Sequence, residues 1–327
     1  MNNRRKLIIA LGAGTLVAPL TSFAQQRAKV ARIGILGAVS AAGYAKLVEA
    51  LKLGLLEFGY VEGRNLAIES RWAEGKYERL PELVAELVRL KVDVIVTAGT
   101  PAVRAAKQVN TTVPVVMAQV ADPIAIGIVN NLARPGGNIT GLTYFVPELM
   151  AKRLELLKEA MPRIRQVAVL LNLDNLVKEP IIESMTVAAK ALNVELHRFE
   201  LRRPDEFASA FSEMSKRRID GVVIQEDAML VVNAGAVATV ATKYRIPSIG
   251  FVEVADGGGL MAYGVNSPEM WHHAAVLVDK ILKGANPGQL PIERATKFET
   301  VVNMKCAQAL GIKIPPSILV QATKVIE

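Results

Sequence analysis

Short, nearly unbroken apolar runs alternate with segments that are apolar on one stripe only, and this alternation starts at residue 32. Residues 32–37, 92–97 and 115–119 are of the first kind, with a weaker run near 65–69, and they predict strands buried on both faces. Between them Val48, Leu51, Leu55 and Phe58 recur at i, i+3, i+7 and i+10. That spacing lays the four on one side of a helix, which Gly59 closes. A second helix is expected through 80–90, and a short Ala-rich one from Pro101. The rhythm then repeats, with strands at 167–171, 194–199, 221–224 and 247–251 and helices at 181–192, 204–216 and 231–243. Val92-Asp93-Val94-Ile95-Val96, an Ala-rich helix and Val113-Pro114-Val115-Val116 are echoed by Ile219-Asp220-Gly221-Val222-Val223, another Ala-rich helix and Ile246-Pro247-Ser248-Ile249. Two similar doubly wound α/β lobes account for this repeat.

The C-terminal part is too small for a third lobe. Ser267 is suited to cap a helix, with Pro268 at its first position and Met270, Ala274, Leu277, Val278 and Ile281 as its buried stripe, up to Gly284. A strand follows at 298–303. These pieces are expected to return and complete the two lobes, which puts lobe I at 28–145 plus 264–284 and lobe II at 146–263 plus 285–327.

The N-terminus breaks the pattern. Arg4, Arg5 and Lys6 precede an apolar run from Leu7 to Leu20, and Ser22-Phe23-Ala24 offers small residues where a leader peptidase cuts. The run is shorter than the roughly 20 residues of a membrane span. Residues 1–24 therefore read as a cleavable export signal, by the Sec rather than the twin-arginine route, and the mature chain as periplasmic.

Charge and composition narrow the function. The chain of 327 residues has a net charge of +8, of which the leader carries three. The rest is dispersed and aromatic residues are only 5%, so no nucleic-acid surface is expected. Cys306 is the one cysteine. It excludes an intramolecular disulfide and reads as a buried thiol. His197, His272 and His273 are the only histidines, and the adjacent pair would point about 100° apart on a helix. Neither a Gly-x-Ser-x-Gly elbow nor a His-Glu-x-x-His helix is present. The reading is of a binding protein without cofactor, metal or catalytic residues, working as a monomer. Pro135-Gly136-Gly137-Asn138 precedes a strand and reads as a tight turn, and Gly257-Gly258-Gly259 as a flexible crossing between lobes.

Several segments resemble one family. They are Leu53-Gly54-Leu55-Leu56-Glu57-Phe58-Gly59-Tyr60-Val61-Glu62-Gly63-Arg64-Asn65, then Ala121-Asp122-Pro123, then Ala133-Arg134-Pro135-Gly136-Gly137-Asn138-Ile139-Thr140-Gly141, and Gly258-Gly259-Leu260-Met261-Ala262-Tyr263-Gly264. With Pro291-Ile292-Glu293, Lys297-Phe298-Glu299, Asn303 and Ala309-Leu310-Gly311, they look like the ABC-transporter substrate-binding proteins of the tryptophan/tyrosine-associated family. The resemblance covers essentially the whole mature chain. It implies a type I periplasmic-binding fold with three hinge crossings, a solute clamped between the lobes, and delivery to a membrane permease. A sensor feeding a chemoreceptor or histidine kinase would use the same cleft, and an unrecognised periplasmic enzyme is the remaining alternative.

Independently of that family, sites in open α/β sheets form beyond the carboxyl ends of strands. On lobe I these ends supply Val39, Ser40, Gly99, Thr100 and Asp122. Gly99-Thr100-Pro101 opens a helix whose free N–H groups suit a carboxylate, unless Thr100 is simply its cap. Lobe II supplies Asn172, Asp174 and Asn175, and Gln225, Glu226 and Asp227. An acid among them, Asp227 foremost, would receive an ammonium group. Tyr144 and Phe251 lie near expected crossings and are candidates for stacking on a ring, with core packing the other role for Phe251. Where the aromatic-amino-acid branch carries Thr-Asp-Asn, this chain has Gln225-Glu226-Asp227. An amino acid, a small carboxylate and an aromatic acid all remain open as ligands.

Overall fold

The computed structural model describes residues 30–109 and 112–327, so the leader lies outside the described residues. The first lobe begins β1 (Ala31–Gly37), α1 (Ala41–Glu57), β2 (Leu66–Trp72), α2 (Leu80–Arg89), β3 (Val94–Ala98), α3 (Thr100–Gln108), β4 (Val115–Val120) and β5 (Ile139–Thr143). The chain then crosses into α4 (Val146–Ala160), β6 (Gln166–Asn172), α5 (Lys178–Leu192), β7 (Glu195–Leu201), α6 (Phe207–Lys216), β8 (Gly221–Ile224), α7 (Ala228–Val232), α8 (Ala234–Lys243), β9 (Ser248–Gly250), α9 (Val252–Asp256) and β10 (Met261–Val265). It returns with α10 (Ser267–Leu282) and β11 (Glu293–Arg294), and ends in β12 (Phe298–Asn303), α11 (Met304–Leu310), α12 (Pro316–Gln321) and β13 (Lys324–Ile326).

The two sheets have one topology. The first runs β11-β5-β4-β3-β1-β2 and the second β13-β12-β10-β9-β8-β6-β7, parallel throughout except where β12 runs against β10. Both contain the doubly wound order 2-1-3-4-5, so each has a switch point where successive connections leave to opposite faces. These are β1/β3 in one lobe and β6/β8 in the other. Strands β3, β4 and β8 are buried at every position, because helices cover both faces, and this explains their continuous apolar sequence.

Lobe boundaries differ from those expected. Residues Glu293 and Arg294 pair in parallel with Leu142 and Thr143, so β11 belongs to the first sheet and the last crossing falls after Arg294 instead of at 284/285. The middle crossing falls at Asn266, after β10 has completed its pairing in the second sheet. The first lies at Tyr144 and Phe145. Phe145 adopts a left-handed φ of 48°, and the Arg294 guanidinium sits 3.8 Å from the centre of its ring, linking the first crossing to the last.

Other elements depart from the sequence pattern for local reasons. Helix α4 went unrecognised because Arg153 interrupts its apolar stripe of Leu149, Met150, Leu154 and Leu157, yet Arg153 is fully buried with them. The helix expected over 231–243 is two helices, broken at Asn233, whose side-chain amide donates to the Met229 carbonyl (2.7 Å). Gly257-Gly258-Gly259 is a turn inside lobe II, between α9 and β10, and not a crossing. A Cβ on Gly257 would come within 2.7 Å of the Gly235 backbone.

The Pro-Gly-Gly-Asn turn sits where expected, ahead of β5. Asn138 donates to the Val113 carbonyl (2.7 Å), Gly136 N–H donates to the Gly288 carbonyl (3.1 Å), and Thr140 donates to the Leu290 carbonyl (2.8 Å). The motif thus ties the returning segment to the first sheet. Its last residue, Gly141, must lack a side chain, since a Cβ there would lie 2.2 Å from the Met117 carbonyl oxygen on β4. Helix α10 packs on α1, with Trp271 completely buried and in edge contact with Tyr44 (centroids 5.5 Å apart).

Candidate functional site

A cavity of about 330 Å³ lies between the lobes, at the small end of the range for small-molecule sites. Both switch points open into it. Lobe I lines it with Val39 after β1, Tyr44 on α1, Gly99, Thr100 and Pro101 after β3, Gln119 and Ala121 on and after β4, and Tyr144. Lobe II contributes Asn175, Glu226, Asp227, Ala228, Val231, Val232 and Glu253, with Ser267 and Pro268 beside the middle crossing.

The lobe I end is the open N-terminus of α3. Gly99 is the capping residue, with φ 79° and ψ 148°, so Thr100 is the first helical residue and not the cap. Glycine supplies no capping side chain, and its own N–H is taken by the Gln119 carbonyl (2.8 Å). Pro101 has no N–H. By helix geometry the amides of Thr100 and Ala102 are then left without an intrahelical acceptor, at the positive end of the dipole. This end can hold an anion.

Lobe II presents carboxyls. Asp227 caps α7 and is saturated by its own lobe: Oδ1 accepts from Asn172 Nδ2 (2.8 Å) and Met229 N (2.9 Å), and Oδ2 from Asn175 Nδ2 (2.7 Å). Burial pushes its carboxyl up, against those donors, which pull it down. Glu226 is engaged on both oxygens, Oε1 by Gln119 Nε2 (2.9 Å) and Oε2 by Arg153 Nη2 (3.0 Å). Burial raises it too, opposed by Arg153. Arg153 spends its remaining donors on the carbonyls of Tyr263 (2.7 Å) and Ile224 (3.3 Å). Such a buried pair holds when further hydrogen bonds back its mutual attraction, as those from Gln119 to Glu226 and from Arg153 to the two carbonyls do here. Glu253 is pushed up to about 7, by burial first and by the neighbouring Glu226 second.

Aromatic and aliphatic side chains make the rest of the wall. Burial drives the Tyr44 hydroxyl up to about 12 and that of Tyr144 well above its ordinary value, so both stay neutral. Tyr77 approaches from lobe I beside Met229 and Asp227, closing a neighbouring groove lined by Ser40, Asn172, Asp174 and Arg202.

Among the sequence candidates, Val39, Gly99, Thr100, Tyr144, Asn175, Glu226 and Asp227 meet in the cavity. The others stand elsewhere. Ser40 caps α1 by accepting from Gly43 N (3.3 Å). Asn172 supports Asp227 from beneath, and Asp174 faces solvent against Arg202 (3.3 Å). Gln225 is fully buried with its oxygen on Asn172 N (2.9 Å), and Asp122 accepts from the N–H groups of Ile124 and Ala125 in its own turn. Phe251 is 1% exposed in the lobe II core and lines no part of the cavity, because β9 ends one residue before it and turns its ring inward. Tyr44, Gln119, Arg153 and Glu253 were not singled out. Glu253 follows the carboxyl end of β9, so the strand-end rule could have found it. Gln119 lies inside a buried strand, and Arg153 is legible only as a charge on an apolar helix face.

A sequence model of the ABC transporter substrate binding proteins matches residues 32–326, both sheets and the cavity between them. The chain belongs to this family. This binding protein is 26% identical over 286 residues to the tyrosine-binding protein of Clostridioides difficile, covering 87% of this chain and 82% of that one. Among solved structures it is similar to a conserved domain protein of Vibrio cholerae (TM-score 0.85, 25% identity, 91% of this chain and 100% of that one). It is equally similar to an ABC domain of Streptococcus pneumoniae in complex with L-Trp (TM-score 0.84, 26% identity, 90% and 99%). The binding protein has the type I periplasmic-binding fold expected from its sequence motifs, in a family that binds solutes. Among its described residues no helix is long and apolar enough to cross a membrane.

Proposed function

We propose that this protein is the extracytoplasmic receptor of an ABC importer, that its ligand is an α-amino acid with an apolar or aromatic side chain, and that its closed form delivers this ligand to the permease. One observation carries the reading: a single cavity joins the uncapped N-terminus of α3 on one lobe to the buried carboxyls of the other. A zwitterion answers both ends, its carboxylate at the helix amides and its ammonium at the acidic wall. A simple carboxylate would satisfy the first and leave the acidic wall without a cation. Tyr44, Tyr144, Val39 and Val231 suit the side chain. The L-Trp complex of the pneumococcal relative and the name of the clostridial one support the same ligand class. The leader read at residues 1–24 supports export.

Binding to both lobes is the thermodynamic requirement for ligand-driven closure. The test is a thermal-shift screen of residues 25–327 against the twenty L-amino acids, aromatic acids and small carboxylates. A ligand at 100 times its Kd adds about 2.7 kcal/mol of stability. A shift with amino acids and none with their deaminated analogues is expected, and the opposite pattern would overturn the reading.

A further inference from the structure

The lobe II wall holds three carboxyls, but their hydrogen bonds are distributed unequally. Asp227 already accepts from Asn172, Asn175 and the Met229 amide, and Glu226 from Gln119 and Arg153. All five donors are the protein's own. The Glu253 carboxyl makes no ion pair and accepts no side-chain hydrogen bond among the described residues, and Arg153 acts on it only from a distance. Glu253 is only partly buried and lines the cavity, so its uncommitted carboxyl borders the space a ligand would fill.

Resting on the amino-acid reading above, we propose that Glu253 is the residue that receives the ligand's ammonium group, and that Asp227 and Glu226 shape and close the site without being its cation receptor. Glu253 sits at the second position of α9, whose start is fixed by the carboxyl end of β9, and it lines the cavity together with Tyr144 and Ser267. The ammonium supplies to Glu253 the donors that the fold withholds from it.

The charged and titratable groups around Glu253 set the pH behaviour. They are Glu226 after β8, Arg153 on α4, Tyr144 at the first crossing and Asp256 on α9, the last held by Lys324 of β13. With its carboxyl pushed up to about 7, free Glu253 is mostly protonated at pH 6 and mostly ionised at pH 8. Pairing with a cation needs the ionised form. Affinity therefore rises with pH through 7, by roughly tenfold between pH 6 and 8, and binding at pH 6 releases close to one proton.

The test is isothermal titration of the mature protein with whichever of the twenty L-amino acids shifts its melting temperature, at pH 6 and 8 and in buffers of different ionisation enthalpy. Wild type is expected to release a proton at pH 6 and almost none at pH 8. Glu253→Gln is expected to bind more than tenfold more weakly at pH 8 and to show no proton release at either pH. Wild-type binding without proton release at pH 6, or a Glu253→Gln variant with unchanged affinity, overturns the assignment while leaving the amino-acid reading intact. The wild-type measurement stands by itself if the variant fails to fold. If none of the twenty binds, the reading and the assignment fall together.

Discussion

Gln119, near the end of β4 in lobe I, donates a 2.9 Å hydrogen bond to Glu226, beyond the end of β8 in lobe II. Both side chains are buried, and Arg153 holds the other Glu226 oxygen at 3.0 Å. Arg153 also binds the carbonyls of β10 and β8, so the carboxylate that meets lobe I is anchored in the second sheet. In the proposed mechanism this contact, like the ligand, joins the two lobes.

Replacing Gln119 with Ala should therefore weaken the closed state selectively. A hydrogen bond to a charged group contributes about 1.5–3 kcal/mol, so the Kd should rise by roughly 10- to 100-fold. Calorimetry, with small-angle scattering of the ligand-bound form, would show weaker binding and a larger radius of gyration. An unchanged Kd would deny the contact a part in closure.

Arg153→Met removes the cation paired with Glu226 and leaves a buried carboxyl uncompensated. The expected loss of stability is about 3–5 kcal/mol, measured by urea unfolding. Arg153→Met with Glu226→Gln should recover part of it, because the charge is then gone.

The ligand-free protein should lose stability as pH rises. Glu253 in the fold is raised from an ordinary 4.5 to about 7, so the folded state holds a proton that the unfolded chain gives up between these values. Its contribution is fully present below pH 4.5 and is lost as pH rises through 7, on the order of 3 kcal/mol. Chemical unfolding at pH 5 and 8 would detect it against Glu253→Gln, whose curve should lack this component.

Gly99→Ala should impair binding more than folding. A Cβ at Gly99 meets nothing closer than Pro101 Cδ at 3.9 Å, so crowding is not the obstacle. The obstacle is the backbone at φ 79° and ψ 148°, which side chains resist by about 1–3 kcal/mol. Relaxing that strain would rotate the first amides of α3 away from the cavity. Titration should show a weaker complex with a modest drop in melting temperature, and an unaltered affinity would remove the helix end from the site.

Phe251→Ala should do the reverse. Its ring is buried in the lobe II core, so truncation should cost about 3–5 kcal/mol of stability. The order of preference among bound amino acids should be unchanged, as read from the same thermal-shift panel.

The sequence by itself determined the two α/β lobes, since apolar runs covered on both faces and helices with one apolar stripe permit few other architectures. It also pointed to the proposed anion end of the site, because Gly99-Thr100-Pro101 follows a buried strand and opens a helix. It marked the second lobe as acidic. What it left undecided was which acid is free. Asp227 and Glu253 look alike in sequence, and only the fold places Asn172, Asn175 and the Met229 amide around one and, among the described residues, no side-chain donor against the other. Arg153 and Gln119 were hidden for the same reason: a charge inside a helix and an amide inside a strand gain a partner only when β4, β8 and β10 are brought together. Hydrophobic periodicity is local and survives in one dimension, whereas hydrogen-bond satisfaction depends on residues such as 119, 153 and 226 that the chain keeps far apart.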